Sequence, residues 1–184
     1  IEYLLRDALA GDLGSQWELF SLMEDTWPRL QKALGELKRA VQQMEWEVEP
    51  WAEEDTPPSD EASRRARVVS HAIWTMWPRA DEGANGFEGT VFDVLDSWAK
   101  GVAVLEVEWE TRDTPKDGRI IAPMATHWVH PKHYGWQAGR LMLHPPQAGA
   151  RDLVPFPPNQ FLISICKSRS GPVTGAALLR PLAW

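Results

Sequence analysis

The chain has 184 residues, 43% hydrophobic and 24% charged, with one cysteine and a formal net charge of −7; this is the balance of a water-soluble globular protein with a single substantial core. At this length roughly 70% of the unfolded surface can leave water, so neither disulfides nor a structural metal is required, and no run nears the ~18 consecutive apolar residues of a membrane helix, nor does a secretory leader open the chain, so a soluble, unexported protein is expected. Residues 1–60 carry 5 basic and 14 acidic side chains, residues 61–110 carry 5 and 9, and residues 111–184 carry 9 and 3; most of the chain repels phosphate, and the scattered cations of the last part read as a solvated mixed surface or a weak contact for an acidic partner rather than a nucleic-acid patch.

The first third reads as helical. The chain begins in a helical pattern, and Ser15-Gln-Trp-Glu18 has the form of a capping box that starts a helix near Gln16. Trp27-Pro28 stops it, because the residue before proline is excluded from the α region while Pro28 fits the first turn of the next helix. There Leu30, Leu34, Leu37, Val41 and Met44 recur at helical spacing and predict one core-facing stripe. Glu45-Trp-Glu-Val-Glu49 alternates like a half-buried strand, residues 53–59 are a solvated linker, and a third helix is expected from about Asp60 with Ala62, Ala66, Val69, Ile73 and Trp77 on one side. The loop from Gly83 to Gly89 lacks the Gly-Lys-Ser/Thr signature of a phosphate cradle. A fourth helix is expected over 90–100, with Asp93 completing a capping pattern and Gly101 at its end.

From Val102 the period changes to two. Val102 to Glu110, a turn at Asp117-Gly118, and Arg119 to Met124 predict a hairpin, and Trp128 to Trp136, Arg140 to Leu143 and Phe161 to Cys166 add short strands. Gly175 to Arg180 reads as the opening of a further helix that Arg180-Pro-Leu-Ala-Trp184 interrupts, which suggests a piece of a longer chain. The expected fold class is α+β, with N-terminal helices packed on a mostly antiparallel sheet. It forms one domain over 1–184, helical from about 15 to 100 and β-rich from about 101 to 170.

No catalytic, cofactor or metal site emerges. His127, His130 and His133 stand within seven residues, but 127 and 130 point to opposite faces of a strand, Pro131 opposes a helix, and no carboxylate lies in the segment; a metal-dependent enzyme on these imidazoles is the alternative reading. Glu45, Glu47 and Glu49, like Glu106, Glu108 and Glu110, form ladders that a hard cation could use, although any one-sided strand shows the same alternation. Ser168 and Ser170 form no nucleophile elbow, and Cys166 in an apolar stretch reads as a buried, inert thiol. Of the 11 tryptophans, Trp17, Trp46, Trp98 and Trp109 sit at amphipathic positions expected in the core, while Trp51, Trp128 and Trp136 lie in loops or at strand ends, where an interface role for two or three is expected, with Trp51 and Trp136 the candidate subunit contacts.

The order of segments carries more than any one motif. Trp17-Glu-Leu-Phe-Ser-Leu-Met-Glu-Asp leading to Pro28, then Leu37-Lys-Arg-Ala-Val41, Trp46-Glu-Val48, Val104-Leu-Glu-Val-Glu-Trp109, His130-Pro-Lys-His-Tyr-Gly-Trp136, Pro157-Pro-Asn-Gln-Phe161 and the Gly171 to Trp184 close together resemble, in order, the portal proteins of Mu-like tailed phages and their prophages. The resemblance implies an N-terminal, wing-like portion of a structural protein without catalytic residues or cofactors. Portals assemble as a ring at one capsid vertex, pass double-stranded DNA non-specifically, and dock the large terminase subunit, capsid, and neck and tail proteins. It implies the virion as location, with the host cytoplasm during assembly, and no membrane partner. A generic interaction module unrelated to phage is the remaining alternative.

Overall fold

The computed structural model describes residues 1–144, 153–168 and 170–183. Helices come first: α1 (Glu2–Ala10), α2 (Gly14–Thr26), α3 (Pro28–Gln42), α4 (Asp60–Trp74), α5 (Phe87–Val94) and α6 (Asp96–Lys100). The strands are β1 (Ala84–Asn85), β2 (Val102–Thr114), β3 (Gly118–Trp128), β4 (Tyr134–Gln137), β5 (Arg140–Leu143) and β6 (Phe161–Ile165). All pair antiparallel, in a sheet ordered β1-β3-β2-β6 and a separate β4-β5 hairpin. The expected α+β class is what forms.

Two clusters make the core. One lies among the helices, where Leu5, Phe20, Leu30, Leu34 and Ala99 meet Ala177, Leu179 and Ala183 of the C-terminal segment. The other lies between α1 and one face of the sheet, where Ala8 and Leu13 meet Val102, Val104 and Tyr134. Helix α1 therefore serves both. It stops at Gly11, whose φ of 117° suits glycine, and a Cβ there would lie 2.3 Å from the Trp136 carbonyl oxygen. The Gly11 carbonyl accepts from the Trp136 amide at 3.0 Å, which fastens α1 to β4.

Several local expectations are corrected. Helix α2 starts at Gly14, whose amide donates to Asp12 Oδ1 at 3.1 Å, so Asp12 replaces the Ser15-Glu18 box. Trp27-Pro28 does divide α2 from α3. In α3 only the first half of the leucine stripe is buried: Leu30 and Leu34 reach the core, Leu37 and Met44 are exposed, and Lys38 is buried instead. Glu45 to Glu49 finds no strand partner and runs as irregular chain, because neither sheet edge reaches it.

Residues 53–59 are an exposed linker as expected, and α4 is capped by Ser59, whose hydroxyl accepts from the Ala62 amide. The helix ends at Trp74, three residues before Trp77. The expected 90–100 helix begins earlier and is broken at Leu95 into α5 and α6. Asp93 accepts from Asn85 rather than capping, and Thr90 bonds the Gly86 carbonyl and the Thr126 hydroxyl. Gly101 closes α6 as expected, with φ of 95°.

The segment 175–180 is not a helix opening. It consists of tight turns with Ala176, Ala177 and Leu179 buried. The amides of Leu178 and Leu179 donate to the carbonyls of Trp98 and Ala99, so they satisfy the free end of α6 instead of forming a helix of their own. Arg180 locks the segment down, donating to Gln16 Oε1 at 2.7 Å and the Leu5 carbonyl at 2.6 Å.

Candidate functional site

The three histidines diverge. His127 lies on β3 with Nε2 3.1 Å from Glu108 Oε2. His130 caps the turn Pro131–His133 by accepting from the Lys132 amide at its Nδ1. Its ring packs edge-on to Trp17 and Trp128, with centroids 4.9 and 5.4 Å away. Burial, then the Lys132 charge, lowers its pKa below the usual imidazole value. His133 is exposed. Among the described residues no group of three or more His, Cys, Asp or Glu is placed to hold a metal.

Two of the three glutamates of the β2 ladder, Glu108 and Glu110, are paired within the chain, while Glu106 is exposed. β3 takes one extra residue, Met124, opposite the step from Glu108 to Trp109, and β2 keeps its alternation. Glu108 receives Arg79 at 2.6 Å as well as His127, and these partners, His127 first, hold its carboxyl below the ordinary range. Glu110 pairs with Arg112, which also bonds the Thr75 hydroxyl. The carboxylate that the histidine segment lacks in sequence thus comes from the neighbouring strand, as a single hydrogen-bond partner of His127. Cys166 is half-buried rather than fully enclosed, at the edge of the sheet.

A buried ionic cluster joins the helices. Lys100 sits over the Trp17 ring at 4.5 Å, with Nζ 2.9 Å from Glu24 and 3.4 Å from Asp96. Lys38 pairs with the same Asp96 and lies over Phe92. Beside them, burial pushes the Asp93 carboxyl up, against the hydrogen bond from Asn85. Every charge in the Lys100, Asp96 and Glu24 group faces an opposite one, so the cluster welds α2, α3 and α6 and presents nothing to a substrate. Its members are far apart in the chain, and only the Asp96 to Lys100 spacing was visible in sequence.

What the surface does present is aromatic. Of the ten tryptophans among the described residues, Trp27, Trp46, Trp51, Trp74, Trp77, Trp98 and Trp109 are exposed, and none is fully buried. This corrects the expectation that Trp46, Trp98 and Trp109 lie in the core; Trp17 is partly buried. The buried positions of the central strands hold small residues, Ala103, Ala122 and Ala125. Trp46 and Trp74 close on Phe87 at 6.0 and 5.0 Å. Trp51 is 74% exposed beside an apolar groove lined by Val48, Pro50, Ala62, Ala66 and Val69. Trp136 is half-buried against the sheet-side core, and its indole N–H has no hydrogen-bond partner among the described residues. Large apolar patches on a protein surface mark interaction sites, and tryptophan is enriched in them.

No described helix is long and apolar enough to cross a membrane. The family model for the portal protein of Mu bacteriophage matches residues 17–184. The portal protein of Escherichia phage Mu is 27% identical over 184 residues, 98% of this chain and 32% of the relative. The chain therefore spans about a third of the length of that curated relative.

Proposed function

The chain belongs to the family of Mu bacteriophage portal proteins, and on that premise we propose that it is the wing-like portion of a portal. In this reading it is a structural element of the ring at one capsid vertex through which double-stranded DNA is packaged and ejected. The observation that carries the reading is the family match over residues 17–184. The exposed tryptophans support it, since tryptophan is enriched where one subunit buries surface against another.

The proposed partners are further copies of the same chain, the large terminase subunit, capsid, and neck and tail proteins, with DNA passing non-specifically. The proposed location is the capsid vertex of the virion, and the host cytoplasm during assembly. The protein performs no catalysis in this scheme. Trp51 and the accessible part of Trp136 are proposed subunit contacts. Deleting the gene from its phage or prophage tests the function: heads empty of DNA, restored by the gene in trans, are expected. Filled, infectious particles without it would refute the proposal.

A further inference from the structure

The portal reading requires a contact that repeats head to tail, one patch meeting a different patch on the next copy. Resting on that reading, we infer which two patches these are: the outer face of the β2–β3 arm of one copy docks in the groove between residues 48–51 and α4 of its neighbour.

The arm is a projection of the sheet. β6 pairs only with residues 102–106 of β2, and β1 only with 126–127 of β3, so residues 109–121 continue as two strands alone. Helix α4 covers one face of this arm, with Arg67 bridging to Asp117 at 2.8 Å and Thr75 bonding Arg112. The other face carries Trp109 paired with Pro123, Thr111 with Ile121, and Asp113 with Arg119. Nothing among the described residues packs over Ile121, which is 73% exposed. Trp109 is also exposed, its indole fixed by donation to the Asn159 carbonyl at 2.7 Å. Lys116 stands at the tip, and neither it nor Arg119 forms an ion pair among the described residues.

The groove lies on the far side of the same helix. Arg67, His71 and Thr75 follow one another at four-residue spacing on the arm side, whereas Ala62, Ala66 and Val69 lie roughly opposite at 100° per residue. Val48, Pro50 and Trp51 form its other wall, Glu49 lines it, and Glu53, Glu54 and Asp55 follow Trp51 closely in the chain, all exposed and none of the four in an ion pair among the described residues. The one cation lining it, Arg65, is held by Glu61 at 2.7 Å.

An apolar arm with two unpaired cations therefore faces one way, and an apolar groove with unpaired carboxylates faces the other. Because α4 separates them, they cannot meet within one chain. A second copy stacked in the same sense brings them together, with Ile121 and Trp109 toward Trp51 and Val69, and Lys116 and Arg119 toward the acidic rim. Opposite charges at such a rim fix register and reject wrong partners.

The test uses the full-length gene product in a Cys166→Ser background, with Ile121→Cys and Val69→Cys introduced singly and together, then treated with a short bismaleimide. A ladder of covalent multimers from the double variant, absent from both single variants, is expected. As a second readout, Ile121→Glu should raise the concentration needed for assembly about tenfold or more, while Arg140→Glu, on β5 away from the arm, leaves it unchanged. If the parent forms rings but the double variant gives no ladder and Ile121→Glu assembles normally, this contact is overturned and the portal reading stands. If the parent forms no ring, both fall.

Discussion

Replacing Lys100 by methionine probes the helical half most sharply. The lysine side chain is 4% exposed, and its ammonium is 2.9 Å from Glu24 and 3.4 Å from Asp96. Methionine keeps most of the stem over Trp17 but leaves Glu24 without its partner, while Asp96 retains Lys38. Removing one member of a buried pair costs ~3–5 kcal/mol, and because both carboxylates keep some contact with water, the lower end, ~3 kcal/mol, applies. For a chain of this length each kcal/mol moves Tm by about 2–4 °C, so a fall of about 6–12 °C is expected in a thermal melt followed by circular dichroism. Glu24→Gln added to Lys100→Met should recover about half of the loss, since the stranded charge is then gone. A loss below about 1 kcal/mol for the single variant, the value of a surface pair, would refute the view that this cluster is desolvated and joins the helices.

Gly11→Ala combines a φ of 117° with a Cβ 2.3 Å from the Trp136 carbonyl oxygen, so a urea titration should show a loss above about 3 kcal/mol. Gly139→Ala, with positive φ but nothing within 4 Å, should cost only about 1–2 kcal/mol. The lowered pKa of His130 means that the unfolded chain takes up the proton first as pH falls. The stability this residue contributes is therefore present above about pH 6.5 and is lost on acidification through its lower folded value. His130→Asn keeps an acceptor for the Lys132 amide and should flatten that part of the Tm profile; an unchanged slope would refute the assignment. Titrating zinc should leave Tm unmoved, and a saturable rise at one equivalent would revive the histidine segment as a metal site.

Local signals in the sequence proved readable where one residue determines the backbone. Trp27-Pro28 divides two helices, Asp117-Gly118 turns the long hairpin, Gly101 ends a helix, and Arg140–Leu143 and Phe161–Ile165 appear as strands. Readings failed where a partner distant in sequence decides the outcome. Alternation at Glu45 to Glu49 matched a strand, but no edge lies beside it to accept its hydrogen bonds. Gly175 to Arg180 has helical composition, yet the unsatisfied carbonyls of α6 claim its amides. The leucine stripe of α3 left the core halfway because Lys38 turns inward to Asp96. The tryptophans misled for the same reason: amphipathic spacing identifies a face, but only the packed structure shows whether anything covers it. Strand parity did not decide where the histidines go: β3 ends at Trp128, and His130 lies beyond it as the cap of the Pro131–His133 turn.

Cryo-electron microscopy of the full-length gene product tests the central claim most directly. A closed ring about an axial channel, with Trp51 and Trp109 drawn into contacts between successive copies, is the predicted result. A protein that stays monomeric, or pairs only as a two-fold dimer, would contradict it.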